Sequence, residues 1–213
     1  MRKATHIFSA AALAATLWFP ALAQAMLING DFETGDLSGW TTFTTTNGTL
    51  GNDGTVTSFD TTGGGASLAA TFNVGQVSFT DGVPAGGGIF QSVALSAGNY
   101  TLTADIAAAD NVPPGNASGG IFELLFDNSV VDIIDFGDIS GTERGLLASL
   151  VNVTAGVHEV RLRVQRPYQR STGTPYQYLD NIVLRGDTPT VPAPATLALV
   201  ALGLLCLRRR MAA

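Results

Sequence analysis

Short runs of alternating or β-branched residues, separated by turn-forming residues, occupy most of this chain. No stretch before Thr196 repeats apolar residues at the 3.6-residue period of a long amphipathic helix. The pattern predicts nine strands, at residues 40–45, 67–73, 89–95, 100–107, 121–126, 130–136, 146–153, 158–164 and 178–185. Because so many strands without helices bury their apolar faces best as two packed sheets, the predicted fold is an all-β sandwich.

Two stretches depart from this pattern. Residues 46–65 are rich in Gly, show neither period, and are predicted to form a loop. Residues 187–192 contain two prolines and are predicted to be a linker. The β-sandwich domain is therefore expected to extend over residues 26–186.

Composition narrows the possible functions. Residues 26–190 hold all 17 acidic residues and six of the 11 basic ones, which gives this stretch a net charge of −11. Because such a field repels nucleic acids and anionic surfaces, no nucleic-acid partner is expected. The only cysteine, Cys206, lies outside the stretch, so the domain can form no disulfide and must rely on its core or on a bound ion.

The N-terminus carries a targeting pattern. Residues 1–25 combine a basic start, an apolar stretch and the small-residue site Ala23-Gln24-Ala25. This is the pattern of a secretory signal peptide, and cleavage would make Met26 the first residue of the mature chain. An uncleaved N-terminal anchor is the alternative.

The C-terminus carries an apolar run that can anchor the chain in a membrane. Residues 195–207 are 13 residues long, whereas a bilayer core of about 30 Å takes about 20 helical residues. The run therefore spans a membrane only marginally, which suits a segment that is later removed. Arg208, Arg209 and Arg210, in the tail 208–213, should stay cytoplasmic and leave the domain outside.

Pro192 and Pro194, in the stretch 187–194, together with the apolar run and the three arginines, resemble the PEP-CTERM sorting signal of Gram-negative bacteria. The resemblance implies recognition by an exosortase, transient anchoring in the inner membrane, and release to the cell surface or an exopolysaccharide matrix. Ala193 stands where that signal usually has Glu. A C-terminal anchor that is never cleaved is the alternative hypothesis.

The domain itself resembles galactose-binding-like jelly rolls, especially carbohydrate-binding modules. Residues 27–40 contain the Asn-Gly-Asp-Phe-Glu turn and the Gly-Trp pair of their opening. Residues 91–102 resemble their middle hairpin, and residues 178–184 resemble their Asp-containing final strand. The resemblance covers the whole stretch between the targeting segments and implies a jelly-roll β-sandwich. Trp40 is expected to lie in its core.

The same resemblance places the first and last strands side by side, which would bring Glu33 near Asp180. It implies a structural Ca²⁺ site with these two carboxylates as ligands and Asp31 as a third, since Ca²⁺ prefers carboxylate and carbonyl oxygens. The alternative is that these carboxylates cap turns and accept backbone N–H bonds.

Residues 166–178 concentrate Tyr, Arg and Gln as no other part of the chain does. Glycan binding needs aromatic faces against sugar rings and polar side chains at the rim. We therefore expect Tyr168, Arg170 and Tyr176 to bind extracellular polysaccharide. A solvated loop rich in Tyr and Arg is the alternative, and Tyr178 alternates like a strand residue.

The sequence contains no motif of a catalytic nucleophile or a catalytic metal. There is no Gly-x-Ser-x-Gly elbow, and Leu162 stands where a second zinc-binding His would follow His158. His158 is expected to have a structural role at the core side or start of a strand.

A run of acidic residues makes a polysaccharide hydrolase an alternative function. Two of these acids could form the carboxylate pair of a glycoside hydrolase, although clustered acids are more often a solvated face. They are Glu123, Asp127, Asp132, Asp135 and Asp138. The expected function is non-enzymatic glycan binding, with a polysaccharide hydrolase or a purely structural matrix protein as alternatives.

Overall fold

A computed structural model describes residues 27–51, 54–80, 82–110, 116–170 and 173–187. These residues form strands β1 Thr41–Thr44, β2 Gly48–Thr49, β3 Thr55–Phe59, β4 Ser67–Phe72, β5 Gly75–Gln76, β6 Ala85–Leu95, β7 Gly98–Ala109, β8 Ile121–Phe126, β9 Ser129–Asp135, β10 Thr142–Val153, β11 Gly156–Arg166 and β12 Tyr176–Gly186. Within these ranges there is no helix that could cross a membrane. The expected signal peptide, apolar run, sorting residues and arginine tail lie outside the described residues.

Two antiparallel five-stranded sheets face each other. The first has the order β1-β6-β11-β8-β9 and the second β10-β7-β12-β4-β3, while β2 and β5 pair separately. The inward side chains of both sheets meet in one hydrophobic core. The predicted all-β sandwich is therefore confirmed, and each of the nine predicted strands is present, as β1, β4 and β6 to β12.

Alternation along the strands decides which side chains enter the core. In β11, Val160, Leu162 and Val164 are at most 1% exposed, and the residues between them point away from the core. Trp40 is also buried, as expected, with its ring 6.2 Å from that of Phe32. Burying such side chains is the main source of stability in a domain that has no disulfide.

The prediction of a loop over residues 46–65 is wrong. β3 lies in this stretch and pairs with β4 along its whole length, from Thr55 opposite Thr71 to Phe59 opposite Ser67. Because β3 is an edge strand, it needs fewer apolar residues than a central strand, and the glycines that flank it weaken its pattern further.

The opening segment and the last strand lie side by side, as expected, but the opening segment forms turns and not a strand. Residues 27–40 form turns, with Asn29 and Phe32 at φ of 52° and 53°. This conformation interrupts an extended strand. The segment contacts β12 through the Ile182 N–H, which donates to Gly30 O (2.8 Å), whereas β1 pairs with β6 in the other sheet.

The sandwich has two chemically different ends. We call residues 96–99, 154–157 and 185–187 the turn end, because two short hairpin turns and the end of β12 meet there. We call residues 73–76, 167–170 and 174–176 the loop end. β12 runs from the loop end to the turn end, and its 11 residues span roughly 33 Å at about 3.3 Å each.

Candidate functional site

The loop end contains the three residues expected to bind glycan. Tyr176 is the first residue of β12 and is 41% exposed. Tyr168 and Arg170 follow the end of β11, and they are half-buried and exposed, respectively. All three side chains therefore lie at the end of the sandwich that is farthest from the end of β12.

Asn73 links Arg170 to the start of β12. Arg170 Nε donates to Asn73 Oδ1 at 3.1 Å, and Asn73 Nδ2 donates to Thr174 Oγ1 at 2.7 Å and to Pro175 O at 2.9 Å. The structure thereby holds Arg170 close to the residues that directly precede Tyr176. Nothing in the sequence pairs Asn73 with Arg170, since 97 positions separate them.

Backbone hydrogen bonds hold Tyr168 beside Arg170. The Gln76 N–H donates to Tyr168 O at 3.1 Å, and the Arg170 N–H donates to Gln76 O at 3.3 Å. Gln169 Nε2 donates to Val77 O at 3.1 Å. This part of the loop is therefore attached to the segment around β5.

Arg166 opens the Tyr- and Arg-rich stretch but is fully buried, so it does not belong to the exposed surface. Its guanidinium donates to Ser118 O at 2.7 Å, to Val74 O at 3.0 Å and to Asn116 O. Burial lowers the pKa of Arg166 to about 10, which still leaves the group charged at neutral pH. Arg166 thereby connects the end of β11 to the segment 116–118 and to the loop at Val74, beneath the exposed residues.

The three predicted metal ligands each accept hydrogen bonds. The Leu68 N–H donates to Glu33 Oε1 at 3.1 Å, and the Glu33 N–H donates to Asp31 Oδ1 at 3.4 Å. Ser67 Oγ donates to Asp180 Oδ2 at 2.6 Å. Glu33 and Asp180 therefore both contact the start of β4, at neighbouring residues.

Asp180 is the most buried of these carboxylates, with no exposed surface. Burial raises its pKa, and the charge of Asp105, which lies opposite it on β7, acts in the same direction. Thr61 Oγ1 and the Asn181 N–H also donate to the carboxylate, at 3.3 and 2.7 Å. These donors fit the alternative hypothesis, in which the carboxylates accept protein hydrogen bonds.

Among the described residues, no three His, Cys, Asp or Glu side chains come together in a way that could hold a metal ion. Ca²⁺ takes six to eight oxygen ligands. A calcium site here would therefore need hydroxyl and backbone oxygens around Glu33 and Asp180, such as those of Ser67 and Thr61. The sequence-based calcium site remains a prediction.

The acidic run of the hydrolase alternative is not uniformly a solvated face. Glu123 is only 8% exposed, because it lies on β8 beneath Arg163 of the neighbouring strand and forms an ion pair with it. Asp127 bonds to His158, and Asp132 Oδ2 accepts the Ala148 N–H at 2.7 Å. These carboxylates therefore tie strands and turns together.

The outer face of the first sheet carries an aromatic and arginine cluster that the sequence did not predict. The Arg161 guanidinium lies 4.5 Å from the ring centroid of Phe43 and 5.1 Å from that of Phe90. Arg161 Nε also donates to Glu159 Oε1 at 2.8 Å. Its members come from three strands, so only the sheet order reveals their proximity. Because the guanidinium covers both rings, they are poorly placed to stack on a ligand.

The family comparison concerns the C-terminal end of the chain. Residues 190–210 match the PEP-CTERM protein-sorting motif. This motif indicates an exported, cell-surface protein and implies processing by an exosortase. It contains the Pro192, Pro194 and arginine positions that carried the sequence-based resemblance.

Solved structures resemble the sandwich in fold. TmCBM61, a carbohydrate-binding module in complex with beta-1,4-galactotriose, is 14% identical, with a TM-score of 0.46 over 75% of this chain and 96% of that one. The K1 adhesin domain of Lys-gingipain from Porphyromonas gingivalis W83 is 15% identical, with a TM-score of 0.45 over 74% and 96%. These low identities limit the likeness to architecture. No curated protein matches the chain.

Proposed function

We propose that this PEP-CTERM protein displays a non-catalytic, galactose-binding-like jelly roll that binds polysaccharide outside a Gram-negative cell. The observation that carries the proposal is the rim at the loop end, where Tyr176 is 41% exposed and Arg170 is held nearby through Asn73. A tyrosine ring can stack on the apolar face of a sugar while the guanidinium donates to its hydroxyl oxygens.

Binding at such a rim should be weak. A few ring contacts over a small surface correspond to about 4 to 8 kcal/mol, which is a dissociation constant between millimolar and micromolar. Weak single contacts suit a ligand with many repeats, because several copies of the protein can then hold one polysaccharide chain.

The hydrogen bonds of the acidic run support a non-catalytic role. A glycoside hydrolase places two carboxylates on either side of the scissile bond, about 5 to 9.5 Å apart. Glu123 is instead paired with Arg163, and Asp132 accepts a backbone N–H from β10. These bonds make the polysaccharide hydrolase the weaker of the two candidates. The same experiment tests both.

The sorting motif supports a route to the surface. In this proposal the signal peptide is cleaved before Met26, residues 195–207 anchor the chain briefly in the inner membrane, and the exosortase removes the arginine tail. The domain then reaches the cell surface or the exopolysaccharide matrix. A calcium ion held by Glu33, Asp180 and Asp31 is part of the proposal, supported by the contacts of Glu33 and Asp180 with neighbouring residues of β4.

Affinity electrophoresis in gels that contain the host's own exopolysaccharide tests the proposal. Wild-type protein should be retarded, and Tyr176→Ala and Tyr168→Ala should each be retarded less, because a stacking face is lost. Leu150→Ala is the matched control, since Leu150 is 74% exposed on β10, away from the loop end.

Absence of wild-type retardation would reject glycan binding and leave the structural-matrix alternative. Reducing ends that accumulate with wild type but not with Glu123→Gln would establish the hydrolase.

A further inference from the structure

The chain leaves the sandwich at the turn end, very close to the sorting motif. Gly186 lies opposite Tyr100 on β7, and the Asp187 N–H still donates to Asn99 O at 2.8 Å. The motif match begins at residue 190. In the sequence, only residues 188 and 189 therefore lie between Asp187 and the motif.

This short connection limits how far the motif can lie from the domain. Five residues lead from Asp187 to Pro192, and a fully extended chain covers at most about 3.6 Å per residue. Pro192 can therefore be no more than about 18 Å from the turn end. A folded protein of 100 residues has a radius of gyration of about 13 Å and is wider than this gap. An enzyme bound at the motif therefore lies within about 18 Å of the turn end, close enough to contact it.

The chemistry of the turn end fits such a contact. Its exposed residues are small and neutral, apart from Arg185 and Asp187, whose charges cancel: Ser96, Ala97, Asn99, Thr154, Ala155, Gly156 and Val157. The pair His158 and Asp127 lies beside them. A stretch with a net charge of −11 therefore presents an almost uncharged surface at the point where the sorting motif departs.

We infer that the turn end is the docking surface for the processing enzyme that reads the sorting motif. This inference rests on the proposed function. During processing the sandwich stands with its turn end towards the enzyme and its loop end roughly 33 Å away, free to face polysaccharide. Because the small side chains at the turn end are neutral, an enzyme can cover them without burying an unpaired charge, which would be costly.

Charge substitutions in the full chain, expressed in its host, test this docking. Ser96→Glu combined with Thr154→Glu places two carboxylates on the turn end. Ser140→Glu combined with Thr142→Glu is the matched control, because both residues are exposed and lie near the opposite end of the sandwich. Mass spectrometry after a pulse of synthesis measures how fast chains lose Arg208 to Arg210. We expect the turn-end variant to be processed about tenfold more slowly and the control at the wild-type rate.

A flexible spacer between the domain and the sorting motif distinguishes a loss of docking from a general defect in folding or export. Ten Gly and Ser residues inserted after Asp187 add roughly 18 Å of flexible chain and should restore the rate of the turn-end variant. Wild-type processing of the turn-end variant, equal slowing of both variants, or no rescue by the spacer would overturn the inference. If the wild-type chain is never processed, the proposed sorting fails and the docking inference fails with it.

Discussion

At the scale of single residues, His158 connects two turns through both of its ring nitrogens. Nδ1 bonds to Asp127 Oδ2 at 2.7 Å and Nε2 to Thr154 O at 2.9 Å, and the ring stacks on Phe126. Two acceptors suit the protonated imidazolium, so the hydrogen bond with Asp127 raises the pKa of His158. The same pair lowers the pKa of Asp127.

The raised pKa of His158 predicts a pH-dependent stability. The extra stabilisation is fully present below the unfolded-state value of about 6.5 and is lost as pH rises through the folded-state pKa. His158→Gln should therefore lower the free energy of unfolding more at pH 5.5 than at pH 8.5. Because Asp127 is 47% exposed, the difference should be about 1 kcal/mol or less.

Urea denaturation at the two pH values measures this difference. Asp127→Asn is the control, since it removes the acceptor that favours the imidazolium and should abolish most of the pH dependence. Equal losses for His158→Gln at both pH values would show that the imidazole is neutral in the folded protein.

At the scale of elements, an aromatic pair links β3 to β12, in addition to the backbone pairing of β3 with β4. Phe59 at the end of β3 stacks on Tyr178 of β12, with centroids 3.6 Å apart and an angle of 7° between the rings. Ala69, Ala107 and Ala109 lie beneath this pair and form a small apolar cluster separate from the main core. The stacked rings therefore connect the edge strand β3 to β12 across the outer face of the second sheet.

Removing either ring should loosen β3. A double-mutant cycle with Phe59→Leu and Tyr178→Leu should give a coupling energy of about 0.5 to 1.5 kcal/mol, the usual value for stacked aromatic side chains. Urea denaturation of the four proteins supplies the four free energies of unfolding. A coupling near zero would mean that the stacked rings add nothing to the other contacts that hold β3.

The strands differ in how well their local sequence pattern predicts them. β11 alternates Val160, Leu162 and Val164 with charged residues, so its strand and its buried face follow from local pattern. β3 pairs with the next strand, β4, but its own residues do not alternate regularly. Its Phe59 stacks on Tyr178, which lies more than 100 residues later in the chain. The same limit applies to the site: Tyr176 could be chosen by composition, whereas its neighbour Asn73 could not. Arg166 is a neighbour of the predicted glycan-binding residues in the sequence, and nothing in the sequence reveals that other segments bury its side chain.

At the scale of the whole molecule, a bound calcium ion would bridge the segment 27–40 and β12. An ion that binds only the folded state stabilises it by about 2.7 kcal/mol at 100 times its dissociation constant. After bound metal has been stripped, Ca²⁺ should therefore raise the melting temperature, and chelator should reverse the shift. Glu33→Gln and Asp180→Asn should each abolish the shift, whereas the exposed control Asp135→Asn should keep it. Identical melting with Ca²⁺ and with chelator would reject the site.

The two proposed functions, attachment and glycan binding, lie at opposite ends of the sandwich. Two residues of the sequence separate the turn end from the sorting motif, and Tyr168, Arg170 and Tyr176 lie at the other end of β12. A chain attached at its turn end thus keeps its proposed binding residues clear of the attachment point, roughly 33 Å away.

Glycan binding at the loop end is the central claim, and backbone NMR of the mature exported protein tests it most directly. The protein is titrated with oligosaccharides cut from the host's exopolysaccharide. We predict saturable shifts of the amide signals of Tyr168, Gln169, Arg170, Asn73 and Tyr176, with a dissociation constant between about 1 μM and 1 mM. No shifts, or shifts confined to the outer face of the first sheet around Arg161, would contradict the claim.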